Sequence, residues 1–177
     1  MKYSRGFNLI ELLIVMAIIA SFSGILVYNF RSSSSNATAR NQSANIVSAD
    51  IRRMQSMALA GSSYQGLPTC GFGVHYVDVR TYLLFARPYA TPCDTGLYNA
   101  AGDRIIEQKQ LSNTRLMIKS SFFDIFFAPP HPTTYIGGSS SSSQPPSVIE
   151  IVLQQGAGSG TGTKISVYTS GKIDTTN

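Results

Sequence analysis

The chain has 177 residues and a formal net charge of +5, from 14 Lys and Arg against 9 Asp and Glu. That excess is modest and spread out, so bulk charge does not indicate nucleic-acid binding, and an anionic surface or DNA is only a minor alternative partner. Two cysteines and two histidines without convergent spacing argue against a metal centre, and no cofactor or metal is expected.

In chain order, Lys2 and Arg5 precede an apolar run from Phe7 to Val27 in which Glu11 is the only formally charged residue. At about 1.5 Å per residue this run reaches roughly 30 Å, the thickness of a bilayer's hydrocarbon core. The basic residues before it, with none following until Arg31, predict a cytoplasmic N-terminus and an exported remainder. A secretory leader removed whole is the competing reading. Its apolar region would be shorter, and the small-residue sites near Ala20 and Ser23 are still followed by Ile25, Leu26 and Val27. Glu11 is costly there, by about 3 kcal/mol at mid-membrane and less toward an interface. A cut after Gly6 would place the new amine of Phe7 four residues before Glu11, and a neighbouring subunit's amine could approach the same carboxylate. Such a pair would offset desolvation and fix axial register.

Beyond Ala37, residues Ala44, Val47, Ile51, Met54 and Ala58 recur at intervals of three and four, the pattern of a narrow apolar stripe. Ser32 to Asn36 are weak helix formers and predict a flexible or unwound joint. One long helix over residues 7–60 is expected, ending at Gly61-Ser62-Ser63. After it the period changes. Phe72, Val74 and Tyr76 alternate with Gly73, His75 and Val77. Further short strands are expected at Tyr82–Ala86, Arg104–Gln108, Arg115–Lys119, Phe122–Phe127, Val148–Leu153 and Lys164–Tyr168. These predict a small antiparallel β-rich head over residues 61–177.

Cys70 and Cys93 fall in the exported part. An oxidising compartment permits them to pair, which would contribute roughly 3 kcal/mol; two free buried thiols are the alternative. Ala128-Pro129-Pro130-His131-Pro132 cannot continue a central strand, and Gly137 to Pro146 reads as a polar, mobile surface loop. The glycine-rich stretch Gln155 to Thr163 is expected to link the last two strands. It lacks the lysine and the strand-to-helix setting of a phosphate cradle. His75 and His131 match no triad or metal spacing, so no catalytic role is assigned. Tyr82, Phe85 and Tyr89 with Arg80 and Arg87 could stack nucleic-acid bases, but strand-core aromatics beside solvated arginines is the favoured reading.

Gly6-Phe7-Asn8-Leu9-Ile10-Glu11-Leu12-Leu13-Ile14-Val15, after a short basic leader, resembles the class III leader and cleavage motif of type IV pilins and type II secretion pseudopilins. Asn8 stands where threonine is commoner. The resemblance implies leader residues 1–6 and a peptidase that cleaves after Gly6 and methylates Phe7. It also implies Glu11 as the assembly contact, with residues 7–27 as the transmembrane part of the helix. The implied fold is α+β, a long helix packed on a β-rich head, and the implied role is that of a structural subunit without enzymatic activity. Its partners would be other subunits, the prepilin peptidase and an inner-membrane platform with a cytoplasmic ATPase. The subunit would move from the bacterial inner membrane, head outward, into a pilus or periplasmic pseudopilus. Met57 to Ala60, Cys70 to Val74 and the terminal Ile165 to Tyr168 with Gly171 to Ile173 resemble the minor GspH, FimT and FimU group. Pro130 and His131 depart from that group's usual glycine-bearing turn. The alternative is a membrane-anchored extracytoplasmic binding protein, including one that binds DNA for uptake.

Overall fold

The computed structural model describes residues 9–89, 93, 96–129, 133–154 and 162–176, with side chains for all of these except 26–36. Helix α1 runs from Leu9 to Leu59. The backbone is helical through Ser32 to Asn36, so the expected joint is not formed. Propensity differences of a few tenths of a kcal/mol per residue do not interrupt a helix that is propagating from both sides. The helix stops where glycine permits it. Gly61 has φ 58°, Gly61 N–H donates to Ala58 O, and Ser62 N–H reaches back to Met57 O, satisfying carbonyls that would otherwise be orphaned.

The chain divides into two compact units, Met1–Thr38 and Ala39–Asn177. In the second unit, α1 contributes the stripe read from the sequence: Ala44, Val47, Ile51, Met54 and Ala58 are all buried. Among the described residues nine strands follow: β1 (Thr69–Asp78), β2 (Thr81–Pro88), β3 (Arg104–Gln110), β4 (Leu116–Ile118), β5 (Ile125–Ala128), β6 (Thr133–Ile136), β7 (Ser147–Leu153), β8 (Thr163–Val167) and β9 (Ile173–Thr176). They form a five-stranded sheet in the order β3-β2-β1-β5-β6 and a four-stranded sheet in the order β4-β7-β8-β9. Every pairing is antiparallel.

Inward side chains of both sheets, among them Phe72, Leu84, Ile125, Ile149 and Ile165, close over the helix stripe in one core. The five-stranded sheet is also covered on its other face. There Cys70, Leu83, Phe85 and Phe126 form a second cluster, packed against Cys93, Tyr98, Ala128 and Tyr135. Strand β2 thus sends Tyr82, Leu84 and Ala86 to one core and Leu83 and Phe85 to the other. Burial on both faces explains its continuous apolar run in place of alternation. Gly73 on β1 leaves room for the Phe85 ring of the neighbouring β2 and for the close approach of β5, since a Cβ there would lie 2.3 Å from Phe85 Cζ and 2.7 Å from Ile125 O.

Two expectations need correction. The strand expected from Phe122 begins only at Ile125, leaving Phe122 buried and Phe123 exposed in irregular backbone. The stretch linking β7 to β8 does not join the last two strands, because β9 follows. The Gly137–Pro146 segment is a polar connection between β6 and β7, as expected, and it contains hydrogen-bonded turns. Ile136 bridges Ser139, and the Ser141 and Ser143 hydroxyls lie 2.7 Å apart. His131 and the glycines from Gly156 to Gly160 lie outside the described residues.

Candidate assembly helix and the polar sites of the head

In the first unit, every large apolar side chain from Leu9 to Ile25 is exposed, Leu9 by 76% and Phe22 by 65%. A helix that is apolar all round, with no protein covering it, is matched only to lipid or to other apolar helices. Its polar members are accommodated locally. The Ser21 hydroxyl donates to Ala17 O at 2.8 Å, keeping its hydrogen bond within the helix. Glu11 sits exposed on the same helix. Gly6 and Phe7 lie outside the described residues. Among the described residues no helix is long and apolar enough to cross a membrane; the apolar side chains described in this segment stop at Ile25.

In the head, Cys70 on β1 and Cys93 form a disulfide with Cα atoms 5.5 Å apart. It ties the segment after β2 to the second cluster. The same segment is held by a buried ion pair. Arg87 donates from Nε to Asp103 Oδ1 and from Nη2 to Asp103 Oδ2, both at 2.8 Å, with both side chains fully buried. Arg87 Nη2 also donates to Leu97 O, and its guanidinium lies 4.9 Å from the Phe126 ring centroid. Asp103 Oδ2 accepts a further bond from Asn99 N–H at 2.8 Å. Both carboxylate oxygens are therefore hydrogen-bonded, as a buried charge requires.

His75 projects from β1 with Nδ1 2.6 Å from Asp124 Oδ1, and Asp124 Oδ2 accepts Tyr98 N–H at 2.8 Å. The His75 ring packs on Tyr98 at 4.5 Å. Among the described residues no group of three or more His, Cys, Asp or Glu side chains could hold a metal ion. The pair instead fastens β1 to the segment that covers it. On the opposite face, Tyr82 Oη donates to Asp50 Oδ2 of α1 at 2.7 Å. Burial, followed by that hydrogen bond, pushes the Tyr82 phenol well above its ordinary range. Close by, Arg53 Nη1 contacts Glu107 Oε2 at 3.3 Å and Lys109 Nζ contacts Glu107 Oε1 at 2.9 Å.

These positions remove the nucleic-acid stacking surface considered from the sequence. Tyr82 and Phe85 are core residues and only Tyr89 of the three aromatics is exposed. Arg87, expected among solvated arginines, is buried on Asp103. The sequence reading missed Asp50, Asp103 and Asp124. Only Asp124 left a signal there, as a lone carboxylate inside the apolar run Phe122 to Phe127.

Fold and exposed helix together define an α+β protein in which one helix carries an uncovered apolar segment and a separate stripe that completes a β-rich head. The comparisons narrow that class. Residues 1–27 match the family described as the prokaryotic N-terminal methylation motif. Over these residues the match supports the resemblance to the N-terminal segment of type IV pilins and pseudopilins. No curated protein and no solved structure matched it.

Proposed function

We propose that this chain is a non-enzymatic structural subunit, a minor pilin or pseudopilin, of a type IV pilus or a type II secretion pseudopilus. A prepilin peptidase removes residues 1–6 and methylates the Phe7 amine, and residues 7–27 hold the subunit in the inner membrane with the head over residues 61–177 outside. The observation that carries this reading is the methylation motif over residues 1–27, continuous with a helix whose apolar side chains are uncovered. Moving such a helix from lipid into a bundle of its neighbours brings little hydrophobic gain, since both surroundings are apolar. Direction and register therefore come from close packing and from the Glu11 carboxylate meeting the methylated amine of an adjacent subunit. A cytoplasmic ATPase acting through a membrane platform supplies the work. The low-abundance assignment rests on the resemblance of the head segments to minor members.

Two measurements test it together. Mass spectrometry of the chain from assembly-competent cells is expected to find an N-terminal peptide beginning at methylated Phe7; an intact leader would refute processing. Glu11→Ala and Glu11→Gln are expected to insert normally but to appear in sheared assemblies at least tenfold less. Normal incorporation of both would remove the role given to the charge.

A further inference from the structure

We infer that the groove between the exposed flank of α1 and the free edge of β9 receives an extended, carboxylate-bearing strand from a different protein. Among the described residues β9 is the outermost strand of the four-stranded sheet. The turn leading into it fixes which of its backbone groups are spare. Gly171 N–H donates to Tyr168 O at 2.8 Å, Tyr168 N–H donates to Lys172 O at 3.0 Å, and Gly171 has φ 80°. The single bond from Tyr168 N–H to Lys172 O sets the phase of the ladder. With Ser166 opposite Asp174, alternation along the ladder turns Asp174 and Thr176 toward β8. The N–H and C=O groups of Ile173 and Thr175 then face the open side, away from β8.

That open side is a groove of about 610 Å³, walled by Asn45, Ser48, Ala49 and Arg52 of α1 and by Ile173 to Thr175 of β9. Its charges are unequally matched. Asp174 is held by Lys172 at 2.7 Å, and Arg53, next in sequence, is held by Glu107. The Arg52 side chain is exposed and makes no ion pair or hydrogen bond with any described residue. A strand pairing with Ile173 and Thr175 sends alternate side chains into the groove. A carboxylate at one such position meets the guanidinium, whose planar fork suits it. A second copy of β9 is a poor occupant. The antiparallel register that uses both Ile173 and Thr175 places Asp174 opposite its own counterpart, and like charges directly opposite are destabilising.

The test uses the full-length chain in its own cells, with the photo-crosslinking residue benzoylphenylalanine replacing Asn45. Irradiation followed by mass spectrometry is expected to identify a crosslinked segment of another protein that contains Asp or Glu. Arg52→Glu and Arg52→Gln, both on an exposed helix flank, are expected to lower the yield at least tenfold. Thr175→Pro, which removes an edge donor without touching the β8 ladder, is expected to do the same. Arg115→Glu, outside the groove, should leave the yield unchanged. Reversing the captured carboxylate to arginine should restore crosslinking to the Arg52→Glu chain. Absence of a crosslink, capture of a second copy, capture of a segment without a carboxylate, or a yield indifferent to Arg52 would each overturn the inference.

Discussion

The buried pair Arg87–Asp103 permits a sharp test of what holds the cover of the five-stranded sheet. Asp103→Leu removes the acceptor of two bonds from Arg87 and of the bond from Asn99 N–H. It leaves a fully buried guanidinium with the Leu97 carbonyl and the Phe126 ring among its neighbours. Breaking a buried pair from one side costs about 3–5 kcal/mol, which for a protein of this size lowers Tm by roughly 10 °C. Arg87→Met should cost a similar amount, because it strands a buried carboxylate. The double variant Arg87→Met/Asp103→Leu removes both charges and keeps apolar volume, so its stability should lie within about 2 kcal/mol of the parent. The assay is urea unfolding of the full chain followed by circular dichroism and tyrosine fluorescence, the latter suited to a sequence with no tryptophan. The cycle should give a favourable coupling of several kcal/mol between the two sites. If the two single losses simply add in the double variant, the pair is not an interdependent buried unit and the reasoning fails.

Two further outcomes follow from the same core. The Tyr82 phenol is raised above its unfolded value near 10, so its contribution is fully present below pH 10. It is lost as pH rises, because the unfolded chain releases a proton that the folded chain retains. Stability should therefore fall above pH 10 by up to about 1.4 kcal/mol per unit from this group. Tyr82→Phe should flatten that part of the curve, and an unchanged alkaline slope in the variant would count against the assignment. Gly73→Ala forces a methyl against Phe85 and the Ile125 carbonyl and should cost about 1–3 kcal/mol in the same urea assay; a loss below about 0.5 kcal/mol would show that β1 and β5 can move apart there.

The parts of this fold legible in the sequence are those in which one residue type repeats with a period. The stripe Ala44, Val47, Ile51, Met54, Ala58 marks the helix face in the core because each position has the same neighbour, the joined inner faces of the sheets. Strands β6 and β9 escaped. Thr133–Ile136 follows a proline-rich stretch with a single clear apolar alternation, and Ile173–Thr176 has one apolar residue. Their extended form is imposed by the strands beside them, β5 and β8, and not by their own composition. The charged contacts were hidden for another reason. Asp103 finds Arg87 and Asp124 finds His75 only after the sheet and its covering segment have closed, and pairing between distant residues leaves no local pattern. The N-terminal motif is the opposite case, since its residues are adjacent in sequence and meaningful as a string.

Helix α1 is one secondary-structure element, yet its residues from Ala39 onward are counted with the head and those before with the other unit. A globular fragment cut at the end of the helix would lose the inner wall of its own core and present an empty apolar trough. The exchangeable module of this protein therefore starts in mid-helix, near residue 39. A chimaera that joins this head to another anchor must carry over those last turns of helix as part of the cargo.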